Sequence, residues 1–180
     1  MLRRRALTLF FFCSLCFVQT SRAARNITID NTSSSIRYYG SEWTVAVFPE
    51  YDVGGSQHLV DLGPNGSGAS TATATFTFTG ICLRHDPLHC SSAHAVPSGT
   101  AIYYWAPLWP YLVTTSVALD SEIPWGLKLL ENGPQVPIGS VGPSVPSAVR
   151  WGLTGLANTQ HTLLISLTPG TRYIVLDALT

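Results

Sequence analysis

Cys82, His85, His89, Cys90 and His94, with Asp86 among them, crowd into the stretch ICLRHDPLHCSSAHAVPSG, residues 81–99. Thiolate and imidazole are the ligands a tetrahedral zinc ion prefers, so the residue types suit a metal. The spacing does not: no close C-x-x-C pair anchors a site, and Pro87 stops a helix from aligning His85 with His89. No metal is expected. Two other readings stay open. In an oxidising compartment Cys82 and Cys90 would close a short disulfide loop worth roughly 2–3 kcal/mol. Alternatively the stretch is an insert, a translated intron. Gly80 as GGT and Ser98 as TCA would supply its borders in frame, and its removal joins TFTG to TAIYYW.

A second set of reactive groups lies further on. Asp120 and Asp177 end or interrupt apolar runs, and paired carboxylates are what glycoside hydrolysis uses. Carboxylates at such places more commonly cap turns or bond backbone amides. His161 opens a run after a turn and is expected to be structural. No G-x-S-x-G occurs; GGSQH and GPNGSG read as turns. Nothing supplies a nucleophile beside a base, so catalysis is not expected, and no cofactor is implied. Aromatic residues are better represented. WAPLWPY, with two prolines, is expected to be a loop that holds Trp105, Trp109 and Tyr111 near the surface, with Trp43 a further candidate contact. Exposed aromatics stack on the apolar C–H faces of sugar rings, and Trp109 is the leading candidate.

These residues must be positioned by strands. TATATFTFTG alternates threonine with Ala72, Ala74, Phe76 and Phe78, the period of a strand with one buried face. ITID, WTVAVF, TAIYYW, YLVTTSVALD, HTLLISL and RYIVLDAL continue the pattern, separated by turn-forming VGGSQ, LGPNGSG, NGPQ and TPGT. Residues 131–147 are rich in Pro and Gly and read as a long loop, and WGLKLLEN is the one candidate helical turn. The sum is an all-β fold, an antiparallel β-sandwich, most simply a jelly roll.

The first residues form a separate unit. Arg3, Arg4 and Arg5 precede an apolar run from Ala6 to Val18 and a small-residue end near Ala23, the pattern of a secretory signal peptide over residues 1–23. Residues 24–180 then form a single β-sandwich domain, with 81–99 as its insert. Four of the ten basic residues leave with the leader and all ten acidic ones remain, so no basic stripe is left for nucleic acid. No second apolar run reaches spanning length, so no membrane span is expected in the mature chain. Sequons at Asn26, Asn31 and Asn65 suit a secreted glycoprotein.

The order of motifs resembles a group of fungal, mostly basidiomycete, extracellular proteins. It runs NITIDNTSSSIRYYGSEW, then ASTATATFTFTG continued by TAIYYW after the insert, then SVALD, GLANTQHTL and YIVLDAL. The resemblance covers most of residues 26–180. It implies a galactose-binding-like jelly-roll ectodomain, secreted or displayed at the cell surface, for which carbohydrate binding is inferred from the fold. The expectation is therefore a secreted, non-catalytic domain whose partner is a glycan. The alternatives are an adhesive ectodomain with a cell-surface protein partner, or a glycoside-acting enzyme using Asp120 or Asp177.

Overall fold

A computed structural model of the chain describes residues 26–63, 70–79 and 101–180. The leader, the Asn65 sequon, and Cys82 and Cys90 lie outside the described residues. Twelve strands account for most of the described chain: β1 (Ile29–Asp30), β2 (Ile36–Tyr39), β3 (Trp43–Val47), β4 (Ser56–Asp61), β5 (Thr73–Thr79), β6 (Ala101–Leu108), β7 (Thr114–Leu119), β8 (Trp125–Lys128), β9 (Val145–Thr154), β10 (Gln160–Ser166), β11 (Tyr173–Leu176) and β12 (Ala178–Leu179). Every pairing between them is antiparallel. Among the described residues no helix is long and apolar enough to cross a membrane.

One layer is a five-stranded sheet in the order β2-β5-β10-β7-β8. The other is broken in two: β11-β4-β3 on one side and β1-β12-β6-β9 on the other. Only Asp177 separates β11 from β12, so these pieces are one surface whose final strand changes partners in mid-course. The chain passes back and forth between the layers, as in a jelly roll. The fold expected from the sequence, an all-β antiparallel sandwich, is the fold observed.

Alternation explains why the layers adhere. On β5 the residues Ala74, Phe76 and Phe78 are buried, and the four threonines between and beside them are only half-buried. β10 opposes them in register, setting Leu163 against Phe76 and Ile165 against Ala74. From the other layer Ile102, Tyr104, Ile174 and Leu176 complete the core. Polar bonds hold the core as well: the Val175 N–H donates to Thr115 Oγ1 at 3.0 Å from one layer to the other, and Tyr104 OH donates to the Val175 carbonyl across the break within one layer. Burial of aromatic and branched side chains at about 25 cal/mol per Å2 is the main driving force, and the bridging bonds keep interior polar groups satisfied.

Two expectations about elements are corrected. WGLKLLEN forms no helical turn; its first four residues are β8, and Leu129 N–H bonds the Val113 carbonyl at 2.8 Å. The Pro-rich loop ends earlier than expected, because β9 begins at Val145.

Candidate functional site

The segment WAPLWPY is not a surface loop. Its first residues belong to β6, which lies between β12 and β9 inside its sheet. Pro107 falls where the β6–β9 register shifts, between Ala106 and Leu108, a place that asks no ladder bond of it. Trp109 then turns inward. It is 3% exposed and packs edge-on against Phe48 at 5.8 Å and near Tyr111 at 5.5 Å. Tyr111 is buried too, and its hydroxyl donates to the Val141 carbonyl at 3.0 Å. The expectation that Trp109 and Tyr111 offer rings to a ligand is overturned: both are core residues. Trp105 sits on the outer face of β6, half-buried, with its indole N–H out of reach of solvent. Trp43 is also half-buried; it packs edge-on to Tyr38 at 5.0 Å and donates its Nε1–H to the Tyr39 carbonyl at 3.0 Å.

The tryptophans that do reach solvent together are Trp125 and Trp151. Trp125 lies on β8, the last strand of the five-stranded sheet, and Trp151 on β9, the last strand of the opposite layer. Trp125 pairs with Val117, a residue of the β7 core face, so its side chain points between the layers. A bulge aims Trp151 the same way. Trp151 opposes Tyr104 and Val149 opposes Trp105, which leaves Arg150 as the extra residue. Without it, Val149 and Trp151 would share a face. With it, Trp151 faces inward beside Tyr104, and Val149 stays outward and 45% exposed. The Arg150 side chain holds the bulge by donating from Nε to the Ala106 carbonyl at 2.8 Å and from Nη2 to the Pro146 carbonyl at 3.0 Å.

At the rim the two indoles meet with centroids 5.6 Å apart and planes tilted by 49°. Trp125 is 37% exposed and Trp151 half-buried. Each is followed by an exposed glycine, Gly126 or Gly152, so the backbone of both end strands is uncovered there. Gly152 has a second role. A β-carbon there would stand inside contact distance of the Tyr103 ring, which therefore lies over the glycine from the outer face. Three aromatic rings thus border one bare stretch of end strand. Ring faces with unpaired backbone donors and acceptors suit a ligand that is apolar on one side and hydroxylated at its edge. The sequence offered Trp125 and Trp151 only as isolated tryptophans; their meeting depends on the pairing of the last strands.

The carboxylates expected as a catalytic pair belong to separate arrangements. Asp120 accepts from His161 Nδ1 at 2.6 Å through one oxygen and from the Thr162 N–H at 2.8 Å through the other. His161 Nε2 lies 2.9 Å from the Ala157 carbonyl. Both ring nitrogens face acceptors, an arrangement that favours the doubly protonated ring. The hydrogen bond to Asp120 is the main reason its pKa is raised. In the same pair burial pushes the Asp120 carboxyl up, but the His161 and Thr162 hydrogen bonds prevail and hold it below its ordinary range. An imidazolium committed at both ends has no lone pair to act as a base. It is a clamp that fixes the turn before β10, as the sequence suggested. Asp177 lies instead against the β3–β4 turn, accepting from the Val53 N–H at 3.1 Å.

Of the sequons, Asn26 is exposed and Asn31 is not. Asn31 is 0% exposed, and its Nδ2 lies 3.0 Å from His58 Nδ1. A glycan on that nitrogen has no room in the fold, which corrects the expectation for Asn31.

No family model matches the chain, and no curated protein matches it. Among solved structures it is similar to crystal structures of an exo-beta-1,3-galactanase from Phanerochaete chrysosporium. Identity is 13% to the complex with galactose and 14% to a variant with beta-1,3-galactotriose. In both comparisons the TM-score is 0.49, and the match covers 87% of this chain and 29% of that chain.

Proposed function

We propose that this chain is a secreted, non-catalytic domain that binds a glycan at the rim formed by Trp125, Trp151 and Tyr103. The observation that carries the reading is the contact between the two half-exposed indoles where the end strands of opposite layers meet. A pair of tryptophans held by strand register is preorganised, so little side-chain entropy is lost when a sugar ring stacks on it. The bare backbone beside Gly126 and Gly152 offers hydrogen bonds to ring hydroxyls. Neither Asp120, held by His161, nor Asp177, buried against the β3–β4 turn, stands free to act on a bound sugar.

Affinity electrophoresis through gels containing soluble β-glucans, galactans or xylans tests the reading. Wild-type protein should be retarded by at least one polysaccharide without releasing reducing ends. Trp125→Ala should lose about tenfold or more of that retention and still fold, since stacking of one ring supplies a kcal/mol or more. Equal retardation of wild type and Trp125→Ala would remove the rim as the site. One observation favours a protein partner as the second reading: Ile123, just before β8, is 87% exposed and extends the rim with an apolar side chain that a sugar does not need.

A further inference from the structure

Residues 131–136, between β8 and β9, form a strap that is fastened at both ends. The Glu131 N–H bonds the Trp109 carbonyl at 2.9 Å, and the Val136 N–H bonds the Pro110 carbonyl at 3.1 Å. Val136 also packs its side chain against the core. Between these anchors Asn132, Gly133, Pro134 and Gln135 are all exposed. Asparagine and glycine suit such a bend, and this pair has a chemistry of its own.

A main-chain nitrogen can attack the side-chain carbonyl carbon of the asparagine before it, which makes asparagine a labile residue. The nitrogen gives up its proton, a new N–Cγ bond closes a five-membered succinimide, and the side-chain nitrogen leaves as ammonia. Water then opens the ring at either carbonyl. One opening leaves aspartate; the other leaves isoaspartate, whose main chain runs through the side chain and is one carbon longer. In sum, amide and water become acid and ammonia, so the step needs neither an oxidant nor a cofactor. Folding opposes it by tying either reacting group in a hydrogen bond, or by setting a bulky side chain beside the nitrogen.

The described asparagines differ in what stands against the attack. Asn31 is fully buried, its Nδ2 lies 3.0 Å from His58 Nδ1, and the Thr32 N–H donates to Asp30 Oδ1 at 2.9 Å. Asn26 and Asn158 are exposed, but Ile27 and Thr159 place a stiff β-branched side chain beside the nitrogen. Asn132 has neither protection. Among the described residues no hydrogen bond holds its side chain or the Gly133 N–H, and glycine brings no side chain to the approach. The Glu131 carboxylate leans over the glycine, where a β-carbon would stand 2.8 Å from Oε1. A carboxylate formed at position 132 therefore arises close to one already present, a like-charge contact.

We propose that Asn132–Gly133 is a self-modifying site, which turns spontaneously into aspartate and isoaspartate in the folded chain and thereby loosens the strap. Isoaspartate sets an extra carbon between two anchors spaced for the shorter chain. The Val136 bond is the one to give, because the Glu131 side is held further by the Trp109 N–H on the Leu129 carbonyl at 3.0 Å.

Trypsin cuts after Lys128 and Arg150, and peptide 129–150 contains no other asparagine. Ageing of the full chain in mildly alkaline buffer can therefore be followed by the mass of that peptide and by labelling with an isoaspartyl methyltransferase. Asn132 should convert about tenfold or more faster than Asn158, with isoaspartate among the products. Its rate in the folded chain should stay within about tenfold of the rate in guanidinium chloride. Gly133→Ala should slow conversion about tenfold. That variant should fold, because Gly133 is not at positive φ and the added carbon meets only the flexible end of Glu131. Amide hydrogen exchange at Val136 should quicken in aged wild type and not in the aged variant. An Asn132 that stays intact while the unfolded chain converts would overturn the proposal, since the fold would then protect it. So would equal rates at Asn132 and Asn158, aspartate without isoaspartate, or exchange at Val136 that ageing leaves unchanged.

Discussion

Trp109 and Trp125 stand near each other in the chain and meet opposite fates. Trp109 follows a strand with neighbours on both sides, and its ring fills the space between the layers beside Phe48 and Tyr111. Trp125 sits on a strand at the end of its sheet, and the same inward direction brings its ring out at the rim against Trp151. Side-chain direction is inward in both. What differs is whether a further strand covers the ring, so exposure here is set by a residue's rank in the sheet rather than by the polarity or proline content of its own segment.

The comparison can be broken most strongly at Trp109. Trp109→Ala should destabilise the domain by about 3–5 kcal/mol, the cost of emptying a large buried aromatic site, measured by urea denaturation. A smaller loss, below about 1 kcal/mol, would mean that the ring is not in the core. Gly152→Val should come next. Its side chain would displace the Tyr103 ring, cost about 1–3 kcal/mol and spoil ligand contact on the outer side of the rim. The His161 clamp gives the smallest effect and has a definite sign. The His161 pKa is raised, so its contribution is complete below pH 6.5 and declines as pH rises through the higher folded value. His161→Gln should remove the part of the melting-temperature decline that lies above pH 6.5, read from thermal melts of both proteins between pH 6 and 8. An unchanged profile above pH 6.5 would mean that the His161–Asp120 contact does not act as a clamp.

Sequence made the fold legible where alternation was strict. β5, with threonine at every second position, and the start of β6 were clear from pattern alone. β9 was not, because its two register shifts scramble the alternation and it carries a proline and a glycine. β4 was hidden by Gln57, a buried polar residue on what reads as a turn-to-loop segment. β8 was misread because Leu127, Leu129 and Leu130 suggested a helical turn, whereas the preceding Asp120 and Ser121, both at positive φ, make a tight reversal from β7 into an adjacent strand. The candidate site was the least legible part. The sequence shows five tryptophans but not which two strands end their sheets, and that pairing alone brings Trp125 to Trp151.

The most direct measurement is the order in which the tryptophans react with N-bromosuccinimide, mapped by peptide mass, with and without a retained polysaccharide. Trp125 and Trp151 should oxidise before Trp109 and should be protected by the glycan. Protection of neither, or protection confined to a tryptophan away from the rim, would contradict binding there.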